Sequence, residues 1–175
     1  LRVVVPGYPG SAWQKWLDRL EIRDREHDGE KMRGTDYRLP VRPLGPDDAV
    51  DPADFAVITD MPVKSLITTP AAGFIHAMGR PLNVAGWAWS GATPVAGVRL
   101  SADGGMTWTE AHLAPAADTF AWRRFSADLT VPAGPVTVVA VARDGAGREQ
   151  PLEAAPWNPR GYCNNLAHRV DGVAA

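Results

Sequence analysis

GPVTVVAVARDGAG, residues 134–147, is the stretch that decides the fold. Val136 to Arg143 reads as an alternating strand, and Asp144-Gly145 closes it with a turn suited to a hairpin. Similar segments recur along the chain. Ser65–Thr69, Pro81–Trp89, Val95–Ala102, Trp108–Leu113, Ala121–Leu129 and Leu166–Val170 are further strand candidates, set apart by Gly, Pro, Asp and Ser. ITTPAAGFIHAMGRPLNVAGWAWSG has the form of a strand, a Gly-containing turn and a second strand. About seven short strands at regular spacing imply a mainly β protein, an immunoglobulin-like sandwich of two sheets. The chain has one cysteine, Cys163, so the Cys…Trp…Cys signature of true immunoglobulin domains is absent and the likeness is architectural.

Residues 1–40 differ from this pattern. Leu1 to Val5 is a β-branched run cut by Pro6-Gly7, and a strand at the first residue suggests a chain that starts inside a domain. Trp13, Trp16, Leu17 and Leu20 fall at helical spacing, with Ser11 as a candidate N-cap. Residues 41–62 are rich in Pro and Asp, have no period and read as a linker. The sandwich then spans residues 63–175, behind a fragment of a mixed α/β domain.

Composition narrows the function classes. Seven Trp accompany 17 Gly and 16 Pro. These exceed ordinary usage, and the Gly and Pro punctuate strands rather than form low-complexity tracts. With 18 basic and 20 acidic residues the net charge is -2. That argues against nucleic acid or an anionic membrane as partner, and no apolar run approaches a membrane span. A single cysteine rules out an internal disulfide and a Cys-rich zinc site. His27, His76, His112 and His168 are far apart, so no metal site is expected.

Three short motifs stand out. SADGGMTW, Ser101–Trp108, has the form of an Asp-box hairpin, in which Asp103 accepts backbone N–H bonds and Gly104-Gly105 supply positive φ. Its structural reading is a turn; its functional reading is a glycosidase. Lys15, between Trp13 and Trp16, is either a snorkelling surface lysine or a cation presented to an anion. Arg160, in the Pro-bounded loop WNPRGY, suits an oxyanion through bidentate hydrogen bonds. The alternative for Arg160 is an ion pair with a carboxylate such as Glu153.

Taken in order, VPGYPGSAWQKWLDRLEI, TDY, MPVKSLITTP, GWAWSG…VAGVRLSADGGMTW and QPLEAAPWNPRGYCNNLAHRV resemble the C-terminal part of the sulfite oxidase family of molybdenum enzymes, which includes assimilatory nitrate reductases. The resemblance covers nearly the whole chain. It implies the tail of a molybdenum–molybdopterin domain over 1–40 and an immunoglobulin-like dimerisation domain over 63–175, in a homodimer. It implies oxygen-atom transfer, sulfite to sulfate, with electrons passed to an unidentified acceptor. The metal-ligating cysteine would lie upstream, so this chain alone is expected to be inactive. By the same resemblance Lys15 touches the pterin cofactor, with contacts from Trp13 and Gln14, whose types depart from the family's usual ones. Tyr37 matches an active-site tyrosine beside the metal. Arg160 matches a substrate-pocket arginine, which would project from the sandwich to balance an oxyanion substrate. Bacterial members are often periplasmic.

Two other functions compete. One is a non-catalytic dimerisation module, with Trp87, Trp89 and Trp122 either at a two-fold interface or in the core. Alternation puts Trp87 and Trp89 on one face, and core is expected for at least one. The other is a carbohydrate-binding or glycosidase module, which needs an exposed Trp platform and paired carboxylates in a cleft.

Overall fold

A computed structural model describes all 175 residues. By its internal contacts the chain divides into two compact units: residues 1–61 with 156–164, and residues 62–155 with 165–175. The chain therefore leaves the second unit after Ala155 and re-enters it at Asn165.

Unit 2 is a β-sandwich. Strands β3 (Lys64–Thr69), β5 (Leu82–Trp89), β9 (Arg123–Leu129) and β8 (His112–Leu113) form a four-stranded sheet in that order. Strands β4 (Phe74–His76), β11 (His168–Ala174), β10 (Gly134–Asp144), β6 (Val95–Ser101) and β7 (Thr109–Glu110) form a five-stranded sheet. All pairings are antiparallel except β11 with β4. The expected strand over Trp108–Leu113 is split between the sheets: Thr109–Glu110 pairs with β6 and His112–Leu113 with β9.

Alternation supplies the core. Leu82, Val84 and Ala88 from β5 meet Val98 and Leu100 from β6, Phe125 from β9, and Val136, Val138, Ala140 and Ala142 from β10. The other face of β10 is also covered: Val139 and Val141 pack with Ala167, Trp108 and Leu152. A strand buried on both faces needs a near-continuous apolar run, which is what residues 136–142 provide. The Asp144 turn forms as its sequence indicates. Gly147 donates to the Asp144 carbonyl at 3.0 Å, with Gly147 at φ 81. Burial works against the Asp144 carboxylate, but bonds from Arg148 and from the Ala146 N–H outweigh it and keep the group below the usual carboxylate value.

Trp87 and Trp89 lie on the outer face of the four-stranded sheet, outside the core. Trp87 is 40% exposed. Trp89 is half-buried because it stacks on Trp122, with centroids 4.5 Å apart. The expectation that one would fill the core fails because Gly86 and Ala88 occupy the inward positions, with Phe125 filling the space.

In unit 1, β1 (Arg38–Pro40) pairs with β2 (Phe55–Val57), and Leu44, Phe55 and Ile58 are buried. The stretch 41–61 thus carries a strand and buried side chains, although it has no period. The helix expected from Ser11 does not form. Gly10–Ala12 makes one 3-10 turn. Trp16 then takes φ 58, which no right-handed helix contains. Residues 14–17 instead lie along residues 1–3, where Val3 donates to Gln14 and Leu17 to Leu1. Extended backbone bonds outcompete a short helix, whose nucleation is costly. Residues 1–5 are correspondingly not a buried strand: they form a single bridge, Arg2 to Lys15, and Leu1 and Val4 are exposed.

A Cβ at Gly86 would collide with the Leu66 carbonyl and the Phe125 ring. Gly86→Ala is expected to lose about 3 kcal/mol of unfolding free energy, the upper end for overpacking a filled core. Urea unfolding of the two proteins measures the difference.

Candidate functional site

The WNPRGY loop is organised by one side chain. The Asn158 Oδ1 accepts from the backbone N–H of Tyr162 at 2.9 Å and of Arg160 at 3.3 Å. Its Nδ2 donates to the Tyr162 carbonyl at 2.9 Å. Gly161, at φ 68, completes the turn and donates to the Asn158 carbonyl at 3.1 Å. Asparagine suits this role because its amide offers both an acceptor and donors to a nearby backbone. Asn158 is buried, while Arg160 stands exposed on the loop.

The loop meets residues 36–37 at two points. Arg160 Nη2 lies 2.8 Å from Asp36 Oδ1. The Tyr162 ring stacks on Tyr37, with centroids 5.6 Å apart and planes 11° from parallel. Tyr37 itself sits in the left-handed region at φ 53, which costs a non-glycine residue about 1–2 kcal/mol. Its carbonyl is anchored by the Ile58 N–H at 3.0 Å. Sequence order would leave Arg160 on the sandwich, yet residues 156–164 group with residues 1–61. The carboxylate that pairs with Arg160 is Asp36 rather than Glu153.

Tyr37 also lines a cavity of about 800 Å³ within unit 1. Gln14, Arg23, Arg25, His27 and Lys31 are among its other walls. Cations outnumber the acidic wall residue, Glu21, so the cavity favours an anion. The structure therefore brings Gln14 and Tyr37 to one cavity, and Tyr37 and Arg160 to one cluster. Lys15 is exposed and does not line the cavity. Trp13 gives its indole N–H to the Val5 carbonyl at 3.0 Å, a bond that holds the 1–16 loop.

No group of three or more His, Cys, Asp or Glu side chains could hold a metal ion. Burial, and then the Asp60 carboxylate, push the Cys163 thiol up from its ordinary value. A protonated, half-buried thiol is a poor metal ligand or nucleophile. The residues present fit the anionic, organic part of a pterin cofactor at the cationic cavity; they do not supply a metal ligand.

The Asp-box is a turn. Asp103 Oδ1 accepts from Met106 N and Thr107 N, each at 2.9 Å, and from Ser101 Oγ at 2.6 Å. Those bonds, led by Ser101, hold its carboxyl far below the usual range. Asp103 shares a groove with Asp128, and Asp128 is itself bonded to Asn83 at 2.8 Å. A carboxylate so strongly stabilised in its charged form is unsuited to the general-acid role of a glycosidase.

Asp36, Asn158 and Tyr162 were not singled out by sequence reasoning. Asn158 had a local signal, an amide before Pro-Arg-Gly; the other two depend on contacts far apart in the chain.

The comparisons with known proteins agree with one another. The family of the Mo-co oxidoreductase dimerisation domain matches residues 55–173. The oxidoreductase molybdopterin binding domain matches residues 1–31. Mitochondrial sulfite oxidase of Macaca fascicularis is 36% identical over 97% of this chain and 32% of its own length. Sulfite oxidase of Arabidopsis thaliana is 32% identical over 97% of this chain and 46% of its own. The chain thus spans about a third to a half of the length of these curated relatives. Among solved structures, the sulfane dehydrogenase SoxCD from Paracoccus pantotrophus superposes with a TM-score of 0.78, at 30% identity, over 96% of this chain and 42% of that one.

Asn158→Ala leaves two loop N–H groups and one carbonyl without their partner. It is expected to destabilise unit 1 by about 1–3 kcal/mol, the cost of unsatisfied polar groups, and to speed hydrogen exchange at the Arg160 and Tyr162 amides, which mass spectrometry reads.

Proposed function

The chain belongs to the sulfite oxidase family of molybdopterin-dependent oxidoreductases, and on that premise we propose that it is one portion of an enzyme that oxidises sulfite to sulfate. Residues 1–40 are the tail of the cofactor domain and 63–175 the dimerisation domain, with 41–62 between them; the family matches to 1–31 and 55–173 cover most of the two outer stretches, while residues 41–61 and 156–164 fold with the first of them. The single observation that carries the reading is the cluster of Tyr37 and Arg160, with Asp36 and Tyr162 between them, beside a cation-lined cavity.

The molybdenum centre, when bound, supplies oxygen transfer and the two-electron change. The chain's own residues bind and orient. Arg160 gives one nitrogen to Asp36 and keeps further N–H donors for an oxyanion. Its charge is permanent, so it attracts a sulfite-like anion without a protonation step. Tyr37 donates its phenolic hydrogen to the same anion. Gln14 and the cationic walls hold the anionic part of the cofactor. Trp13 fixes the shape of the adjoining loop, and Lys15, exposed on that loop, would offer its cation to the cofactor from outside the cavity walls.

A second reading, oxidation of sulfane sulfur, is favoured by the SoxCD match over 96% of this chain. Turnover of full-length, metal-loaded protein with sulfite and with a sulfane-sulfur compound, using an artificial electron acceptor, separates the two. Inactivity with both substrates in a molybdenum-replete sample would overturn both. Arg160→Gln is expected to raise KM for sulfite roughly thirtyfold, the equivalent of about 2 kcal/mol, the low end for a lost charge pair because this guanidinium is half exposed. Unchanged sulfite affinity in that variant would remove Arg160 from the site.

We propose the outer face of the four-stranded sheet as the homodimer contact. Leu66 and Trp87 are cross-strand neighbours there, both exposed, and Trp89 with Trp122 continues the apolar surface. The opposite sheet has its outer face covered by Trp108 and Leu152. Buried aromatic centres are where interface energy concentrates. Trp87→Arg is expected to convert dimer to monomer at micromolar concentration in sedimentation velocity, with the fold retained by circular dichroism; an unchanged dimer would place the contact on another face.

A further inference from the structure

Tyr37 has two different sets of neighbours. It lines the cation-walled cavity, and the Tyr162 ring lies nearly parallel against it at 5.6 Å. Tyr37 also needs outside support, because its backbone sits at φ 53, a conformation that a bulky side chain holds only when its surroundings over-determine it. Tyr162 is equipped to give that support. Its N–H and its carbonyl are both bonded to the Asn158 amide, and Gly161 at φ 68 sets the turn that presents its ring.

We propose that Tyr162 is a positioning residue: its ring is the platform that fixes the direction of the Tyr37 phenol at the cavity. A flat contact of this kind restricts both side-chain torsions of Tyr37, so the hydroxyl points one way instead of sampling several rotamers. The platform requires an aromatic face and has no use for the Tyr162 hydroxyl. The proposal rests on the reading of Tyr37 as a group that acts on the substrate anion.

The test uses full-length, metal-loaded protein with Tyr162→Phe, Tyr162→Leu and Tyr37→Phe, singly and combined. Tyr162→Leu is expected to lower kcat about three- to tenfold, the scale of one lost aromatic pair, with KM unchanged. Tyr162→Phe is expected to match the parent. In the Tyr37→Phe background, Tyr162→Leu should cost nothing further. A second readout needs no turnover. With 3-fluorotyrosine incorporated, the Tyr37 fluorine resonance, assigned by its loss in Tyr37→Phe, should shift in Tyr162→Leu and stay in place in Tyr162→Phe. The proposal is overturned if Tyr162→Leu changes neither kcat nor the resonance. It is equally overturned if Tyr162→Phe falls as far as Tyr162→Leu, or if the loss persists undiminished in the Tyr37→Phe background. Full turnover by Tyr37→Phe itself would instead remove Tyr37 from the reaction, and the fluorine resonance would then decide the platform alone.

Discussion

Between the two sheets of unit 2, the side-chain amide of Gln150 makes every hydrogen bond it is capable of. Its Oε1 accepts from Ser65 Oγ at 2.6 Å and from Ala142 N at 2.8 Å. Its Nε2 donates to the carbonyls of Asn165 and Leu166 at 3.1 and 3.3 Å. One buried group thus joins β3, β10 and the chain entering β11. A buried amide is costly unless satisfied, and a fully satisfied one admits a single arrangement of its partners. Asn165 adds a bond from its own side chain to the Val63 carbonyl. The return of the chain at residue 165 is therefore fixed as firmly as the core.

Residues 156–164 hold Arg160 and Tyr162, and their geometry is set by a second buried amide, Asn158. The two amides do similar work at different scales. Gln150 ties together strands distant in sequence; Asn158 ties a turn to itself. Neither is a catalytic group, yet the turn that carries the arginine and the tyrosine takes its shape from Asn158. The left-handed backbone of Tyr37 belongs to the same economy: strain at one residue is tolerated where an anchored carbonyl and a stacked ring surround it.

The sandwich was legible in the sequence because its strands repeat a two-residue period between Gly, Pro and Asp turns. Residues 82–89 and 95–101 show it best, while residues 134–144 are legible as a β-branched apolar run ended by Asp-Gly. The β1–β2 pair was not, since three-residue strands carry no period and pair across a Pro-rich stretch. Trp13, Trp16, Leu17 and Leu20 were misleading: helical spacing is a weak prior, and backbone bonds to residues 1–3 decide the outcome. Arg160 and Tyr37 could be named from the family resemblance. Their meeting through Asp36 and Tyr162 could not be foreseen, because spacing along the chain says nothing about contacts between such distant segments. The outward aromatic face was likewise ambiguous, since alternation says which residues share a face but not which face is covered.

The excursion of residues 156–164 has a consequence for how such a protein can change over generations. Domains joined like beads on a string can be exchanged by a single crossover between them. Here a crossover anywhere from residue 62 to residue 155 would take Asp36 and Tyr37 from one parent and Arg160 and Tyr162 from the other. The salt bridge and the ring stack would then have to match between lineages that had drifted apart. The strand framework and the loop it carries are thereby bound to a common inheritance, and novelty is confined to changes that keep both halves of the cluster in step.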